Sequence, residues 1–265
     1  MLNIITRKFK DQWKSILYYF AGLTAYSWLM IGMYPSMKNI DFESYFEQMP
    51  KEFLQFFGAT DLAAYSTIEG FLSIEYLSSF FILIIAFYVA ASAGSTIAGA
   101  IEKRTIDFDL SQPITRTKLL LSETIVSLIN TFLIVFGSVY GIWLLCKVYN
   151  VTISGRGIFA FSLTATVFMW AIYGVAIFIS SLLRSKMTVA AATLAFVLGS
   201  FIFYSLTGIV EKLKNYDKLS IFYLYTNPQE LLKDGQIHWD KIAILTLILI
   251  VGLVSSIIIF NKKDI

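Results

Sequence analysis

One polar stretch in the middle of the chain, between two strongly apolar segments, carries a dense set of side chains able to act in water. Residues 98–123 read AGAIEKRTIDFDLSQPITRTKLLLSE and place Glu102, Lys103, Arg104, Asp107, Asp109, Arg116 and Lys118 within a few turns. Mixed charges interleaved with Ile106, Phe108, Leu110 and Ile114 suit pairing and pocket filling against another protein. They do not suit bond breaking. The chain holds one Cys, Cys146, and one His, His238, so no internal disulfide and no Cys/His zinc cluster can form. A Ser-His-Asp arrangement would have to use His238, which sits in a loop, and no G-x-S-x-G turn exists to present a nucleophile. There is no G-x-x-x-x-G-K-[ST] loop either. The expectation is a chain with no catalytic residue, no metal site and no cofactor of its own.

Such a loop needs a scaffold, and the composition says which kind. Hydrophobic residues make up 57% of the chain and charged residues 15%, against roughly 25% charged in soluble domains. The mean hydropathy is +0.70. The excess lies in long runs, the mark of an all-α integral membrane protein. Six transmembrane helices are expected at about 15–34, 76–101, 124–145, 158–183, 187–210 and 242–260, in one domain spanning 1–265. Pro35 is expected to close the first. Only Arg184, Ser185 and Lys186 separate the fourth and fifth, so those two must be antiparallel neighbours. The net charge of +3 is small and its Lys and Arg are spread among loops, which argues against a nucleic-acid partner.

Before the first span, Ile5, Phe9, Trp13 and Ile16 fall on one helical face, with Arg7, Lys8, Lys10 and Lys14 elsewhere. This predicts an amphipathic N-terminal helix in the headgroup layer, or equally a basic flank that sets topology. The loop 36–75 is acidic, and Phe42, Phe46, Phe53, Leu54 and Phe57 recur at helical spacing, ended by Gly58; a substrate gate and a cap over the span ends both fit. With the N-terminus inside, the short inner segments hold more of the Lys and Arg than the longer outer loops, as the positive-inside rule asks. Both termini and the charged stretch are therefore placed in the cytoplasm. Lys262 and Lys263 read as a basic anchor after the last span.

Two stripes of small residues, Ala90, Gly94 and Ala98 in the second span and Ala191, Ala195 and Gly199 in the fifth, predict close helix packing along a pathway. The spans so drawn contain no Asp, Glu, Lys, Arg or His, so an ion-coupled pump whose driving force arises within this chain is disfavoured. Asn130, Ser138, Ser162, Thr164, Thr166 and Thr193 are expected to bond between helices.

The charged stretch resembles the loop between the second and third spans of bacterial ABC exporter permeases of the ABC-2 type. The matching residues are Glu102, then Thr105-Ile106-Asp107, Leu110, Pro113-Ile114-Thr115-Arg116 and Leu119-Leu120. Three positions depart from the pattern: Arg104 stands where Gly is usual, Asp109 where an apolar residue is usual, and Glu123 where Lys is frequent. The resemblance implies a cytoplasmic coupling helix that docks on a separate ATP-binding cassette subunit, which would itself bind ATP and Mg. Its docking residues would be Glu102, Lys103, Arg104, Thr105, Asp107, Phe108, Leu110, Pro113 and Arg116. It further implies a second permease chain, contact with membrane lipids, a bacterial plasma-membrane location, and export of an amphipathic peptide, a lipid or a drug. The competing reading is a membrane scaffold or sensor subunit whose inner loop binds a regulatory protein and moves nothing.

Overall fold

The computed structural model describes residues 2–37, 65–104 and 115–263. Within them every regular element is a helix. We number these α1 (Leu2–Met37), α2 (Ile68–Leu72), α3 (Phe80–Thr96), α4 (Ala98–Glu102), α5 (Arg116–Val148), α6 (Gly155–Leu182), α7 (Lys186–Ile209), α8 (Pro228–Asp234) and α9 (Trp239–Lys262). A π-helical segment, Ser73–Leu77, follows α2, and two 3-10 segments, Glu211–Leu219 and Ile221–Leu224, lie between α7 and α8. Five helices are long and apolar enough to cross a bilayer, and a sixth crossing results if the α2–π segment and α3, bent by 41°, count as one. The expected amphipathic helix at 42–57 lies outside the described residues.

The second crossing is not the single helix expected over 76–101. It starts at Ile68, widens into the π segment, breaks at Ser78 and Ser79, and is interrupted again at Ile97. Serine pairs and π turns are the usual causes of a sharp helix bend, and Ser79 takes a non-helical conformation with no side-chain cap.

The N-terminal reading also changes. No separate interfacial helix precedes the first span; α1 runs unbroken from Leu2 to Met37, two residues past Pro35. At 1.5 Å per residue it is about 54 Å long, well beyond a hydrocarbon core of about 30 Å. Its neighbour α5 is of similar length because it begins at Arg116, before the expected 124. The Thr115 side chain accepts a hydrogen bond from the Lys118 N–H (3.2 Å) and caps it. The two helices run parallel in one register. Cβ atoms on Gly137 and Gly141 would meet Phe20 (3.0 Å) and Thr24 (3.4 Å), and one on Gly32 would meet Tyr149 (3.3 Å).

Glycine also sets a very close crossing between α6 and α9. A Cβ on Gly252 would sit 2.1 Å from the Gly174 carbonyl oxygen, and one on Gly174 would sit 2.6 Å from the Leu249 Cα. One turn on, the buried Ser256 Oγ donates to the Ile177 carbonyl (3.2 Å). In lipid, where apolar burial gives no drive to associate, such backbone contact is what holds helices together.

The remaining polar groups of the interior behave differently from expectation. Ser138, Ser162, Thr166 and Thr193 donate to carbonyls four residues earlier in their own helices. A hydroxyl one turn away from a carbonyl satisfies itself locally and needs no second helix. Only Asn130 of the expected set reaches across, its Nδ2 donating to Gln12 Oε1 on α1 (2.6 Å). Thr164 Oγ1 is buried with no partner among the described residues. Large apolar side chains face outward instead, among them Leu247, Ile250, Val251, Val254 and Ile258 on α9, as lipid-facing surface requires.

Candidate functional site

The charged stretch is described up to Arg104 and again from Thr115. Thr105, Asp107, Phe108, Leu110 and Pro113 lie outside the described residues; the two feet of the loop are inside them.

The first foot is α4. Glu102 is its last residue, and its carboxylate turns back onto the start of α7. Oε2 accepts the Lys186 backbone N–H (2.8 Å) and Oε1 accepts the Ser185 hydroxyl (3.2 Å). The first N–H groups of a helix lack partners inside it and carry a partial positive charge, so a carboxylate there is both a cap and a counter-charge. Ser185 occupies the N-cap position of α7 yet makes no capping bond of its own. Glu102 supplies what Ser185 does not.

The small-residue stripe of the second span presses on the same place. Ala90, Gly94 and Ala98 are buried. A Cβ on Gly94 would lie 2.9 Å from the Lys186 carbonyl oxygen and 3.5 Å from Val189 Cβ. The Ala98 N–H donates to Ser180 Oγ of α6 (3.2 Å). Gly94 is thus packed closely on the first turn of α7. The other stripe, Ala191, Ala195 and Gly199, is exposed, and a Cβ on Gly199 would meet nothing within 4 Å.

Lys103 and Arg104 follow on the surface. Arg104 has φ 54°, in the left-handed region that costs an L-residue with a side chain roughly 1–2 kcal/mol. This accounts for the glycine that the family pattern favours at this position. The geometry of the turn is kept here by a residue that is strained in it.

The second foot is the start of α5. Arg116 reaches the end of α9, where its Nη1 donates to the carbonyls of Phe260 (3.0 Å) and Lys263 (2.7 Å). The guanidinium also lies over the Phe260 ring, 5.7 Å from its centroid. The last carbonyls of a helix are the mirror case of its first N–H groups, and a cation fits them. Beside it Asn261 Nδ2 donates to Thr117 Oγ1 (3.1 Å).

Lys263 extends the chain of contacts. Its Nζ donates to the carbonyls of Ser181 (2.8 Å) and Leu183 (3.0 Å) at the end of α6. Burial lowers the pKa of this ammonium, and the nearby positive charge of Arg184 lowers it further. The sequence makes Lys263 a simple basic anchor; its signal is position, three residues past the last apolar run and one past the end of α9.

A third contact supports the returning foot. Glu123, mostly buried, forms an ion pair with Lys8 of α1. The sequence puts Lys8 off the apolar face of α1 and Glu123 just outside the third span, and neither position by itself announces the pair. The register of α1 on α5 carries Lys8 to Glu123 and Gln12 to Asn130, so the pairing continues beyond the apolar part of either helix. Trp13, on the expected apolar face, is half exposed.

The described part of the site thus holds no arrangement of nucleophile and base. It is a set of helix ends tied to one another, with the charged loop springing from two of the ties. Comparison with known proteins bears on what such a loop is for. A family model described as "ABC-2 family transporter protein" matches residues 21–265. No curated protein and no solved structure matches the chain.

Proposed function

From the premise that the chain belongs to the ABC-2 transporter family, and so is a membrane-embedded permease component of an ABC transporter, we propose that residues 102–116 are the joint through which ATP hydrolysis in a partner drives it. The family implies a cytoplasmic ATP-binding subunit as that partner. The observation that carries the reading is the division of labour between the two feet. Glu102 is bonded to the start of α7, whereas Arg116 is bonded to the end of α9, which Lys263 ties to α6. A push on the loop would be delivered to two different helix groups, as a coupling element must do to separate them.

The docking surface would then be Lys103 and Arg104 with residues 105–114, while Glu102 and Arg116 transmit. The exposed stripe of Ala191, Ala195 and Gly199 supports pairing with a second permease chain, since small residues let helices approach closely in lipid. Export of an amphipathic peptide, lipid or drug, with both termini in the cytoplasm, completes the proposal. ATP and Mg would be held by the partner.

Co-expression with the ATP-binding subunit, reconstitution in vesicles and measurement of vanadate-sensitive substrate movement test this. Replacing Glu102 and Arg116 together by Ala should leave the subunits associated while uncoupling hydrolysis from movement. Unchanged transport in that variant would refute the assignment. A subunit that binds its partner but moves nothing in any vesicle assay would be a scaffold.

A further inference from the structure

We propose that the cavity at the opposite end of the bundle binds the zwitterionic head group of an amphiphile, one that carries an ammonium and a phosphate. The cavity measures about 470 Å³, within the range of about 300–1,000 Å³ usual for small-molecule sites. One wall is the broken start of the second crossing, with Ser73 and Ile74 of the π segment and then Ser78 and Ser79 at the bend. The facing wall is the last two turns of α7, including Tyr204 and Ser205. Phe222 and Tyr225 form an aromatic side, held in place by the Tyr225 hydroxyl, which donates to the Leu77 carbonyl (3.1 Å).

The selectivity comes from the 3-10 segment Glu211–Leu219 over the cavity. In a 3-10 helix residues three apart eclipse one another, so Glu211, Lys214 and Asp217 share one face. All three line the cavity. They present the order negative, positive, negative, and among the described residues no ion pair joins any of them. An anion would meet two carboxylates, and a simple cation would meet the ammonium of Lys214. A ligand with both charges, its phosphate on Lys214 and its ammonium between Glu211 and Asp217, satisfies all three. Ile202 and Leu206 on α7, with Val210 just past its end, form an exposed apolar ridge alongside, suited to an acyl chain.

That the occupant is also cargo rests on the permease reading; that it binds does not. Native mass spectrometry of the purified full-length chain in detergent tests binding without the ATPase. Phosphatidylcholine should be retained about tenfold more tightly than phosphatidylglycerol. Lys214→Glu should abolish that retention, and Glu211→Lys with Asp217→Lys should invert the preference in favour of phosphatidylglycerol. Inverted selectivity is a change that misfolding cannot mimic. Equal retention of the two lipids by the unaltered chain, or a preference untouched by both variants, would overturn the proposal. Glycerophosphocholine as a third probe separates sources: binding with the same charge dependence points to a soluble zwitterion, and a need for acyl chains points to a membrane lipid. Binding that survives with no vesicle transport would remove the cargo role and leave the site.

Discussion

The carboxylate of Glu102 accepts the backbone N–H of Lys186, 84 positions further along the chain, at 2.8 Å. One bond therefore joins the end of the second crossing to the start of the fifth, at the root of the charged loop. Replacing Glu102 by Ala should lower the stability of the purified chain by about 1 kcal/mol, the usual cost of losing a helix cap. Gln can still accept one of the two bonds and should fall between. Thermal unfolding in detergent reads the stability, and ATPase-to-transport stoichiometry reads the coupling.

Arg116→Met keeps much of the side chain's bulk but removes the donors to Phe260 and Lys263. Amide hydrogen exchange in the last turn of α9 should accelerate, with a stability loss of about 1–2 kcal/mol for charge-assisted bonds. Arg116→Lys should recover only part of the loss: one ammonium nitrogen can donate to both carbonyls as Nη1 does, but its shorter reach loses the planar contact with the Phe260 ring.

At Arg104 the expectation is a gain. Gly removes the left-handed penalty of roughly 1–2 kcal/mol but adds freedom to the unfolded chain worth roughly 0.5–1 kcal/mol. The net is a stabilisation of about 0.5 kcal/mol for Arg104→Gly. Arg104→Val should destabilise, since a β-branched residue tolerates positive φ least. The order Gly, Arg, Val in denaturation midpoint is the check.

The two glycine stripes should respond in opposite ways. Gly94→Ala thrusts a methyl at the Lys186 carbonyl and should cost about 1–3 kcal/mol. Gly199→Ala meets open space in this chain and should raise helix stability by up to about 1 kcal/mol. If a second chain covers that face, Gly199→Leu should instead lower the dimer fraction seen by light scattering or cross-linking.

For the Lys8–Glu123 pair, Lys8→Met leaves a mostly buried carboxylate alone. The loss should be about 1–2 kcal/mol, discounted from a fully buried pair because Lys8 is partly exposed. Swapping the two, Lys8→Glu with Glu123→Lys, should restore most of it. A charge-swapped double variant no better than the single one would show that the pair adds nothing.

Sequence reading located the apolar crossings, the tight turn at Arg184 to Lys186 and the loop at Glu102 to Arg116, since all of these are written in hydropathy and charge. It could not see partners supplied by tertiary register. A helical wheel sends Lys8 to water because it knows nothing of Glu123 on the next helix. It likewise offered Ser162 and Thr166 to neighbouring helices, although their own backbone lay closer. The bend at Ser78 and Ser79 escaped because an apolar run hides a break that only backbone geometry reveals. Arg104 is the reverse case: it stands where Gly is usual, and the left-handed turn it occupies supplies the physical reason for that glycine.

The contact of Gly174 with Gly252 gains a meaning beside Lys263. One fixes α6 to α9 midway along their length and the other fixes them at the end that faces the loop. Two separated points of attachment permit neither sliding nor scissoring, so these helices must travel as one plate. Any opening in the molecule has to run along a seam elsewhere, and α7, held at its first turn by Glu102, is the helix that a movement of the loop would reach first.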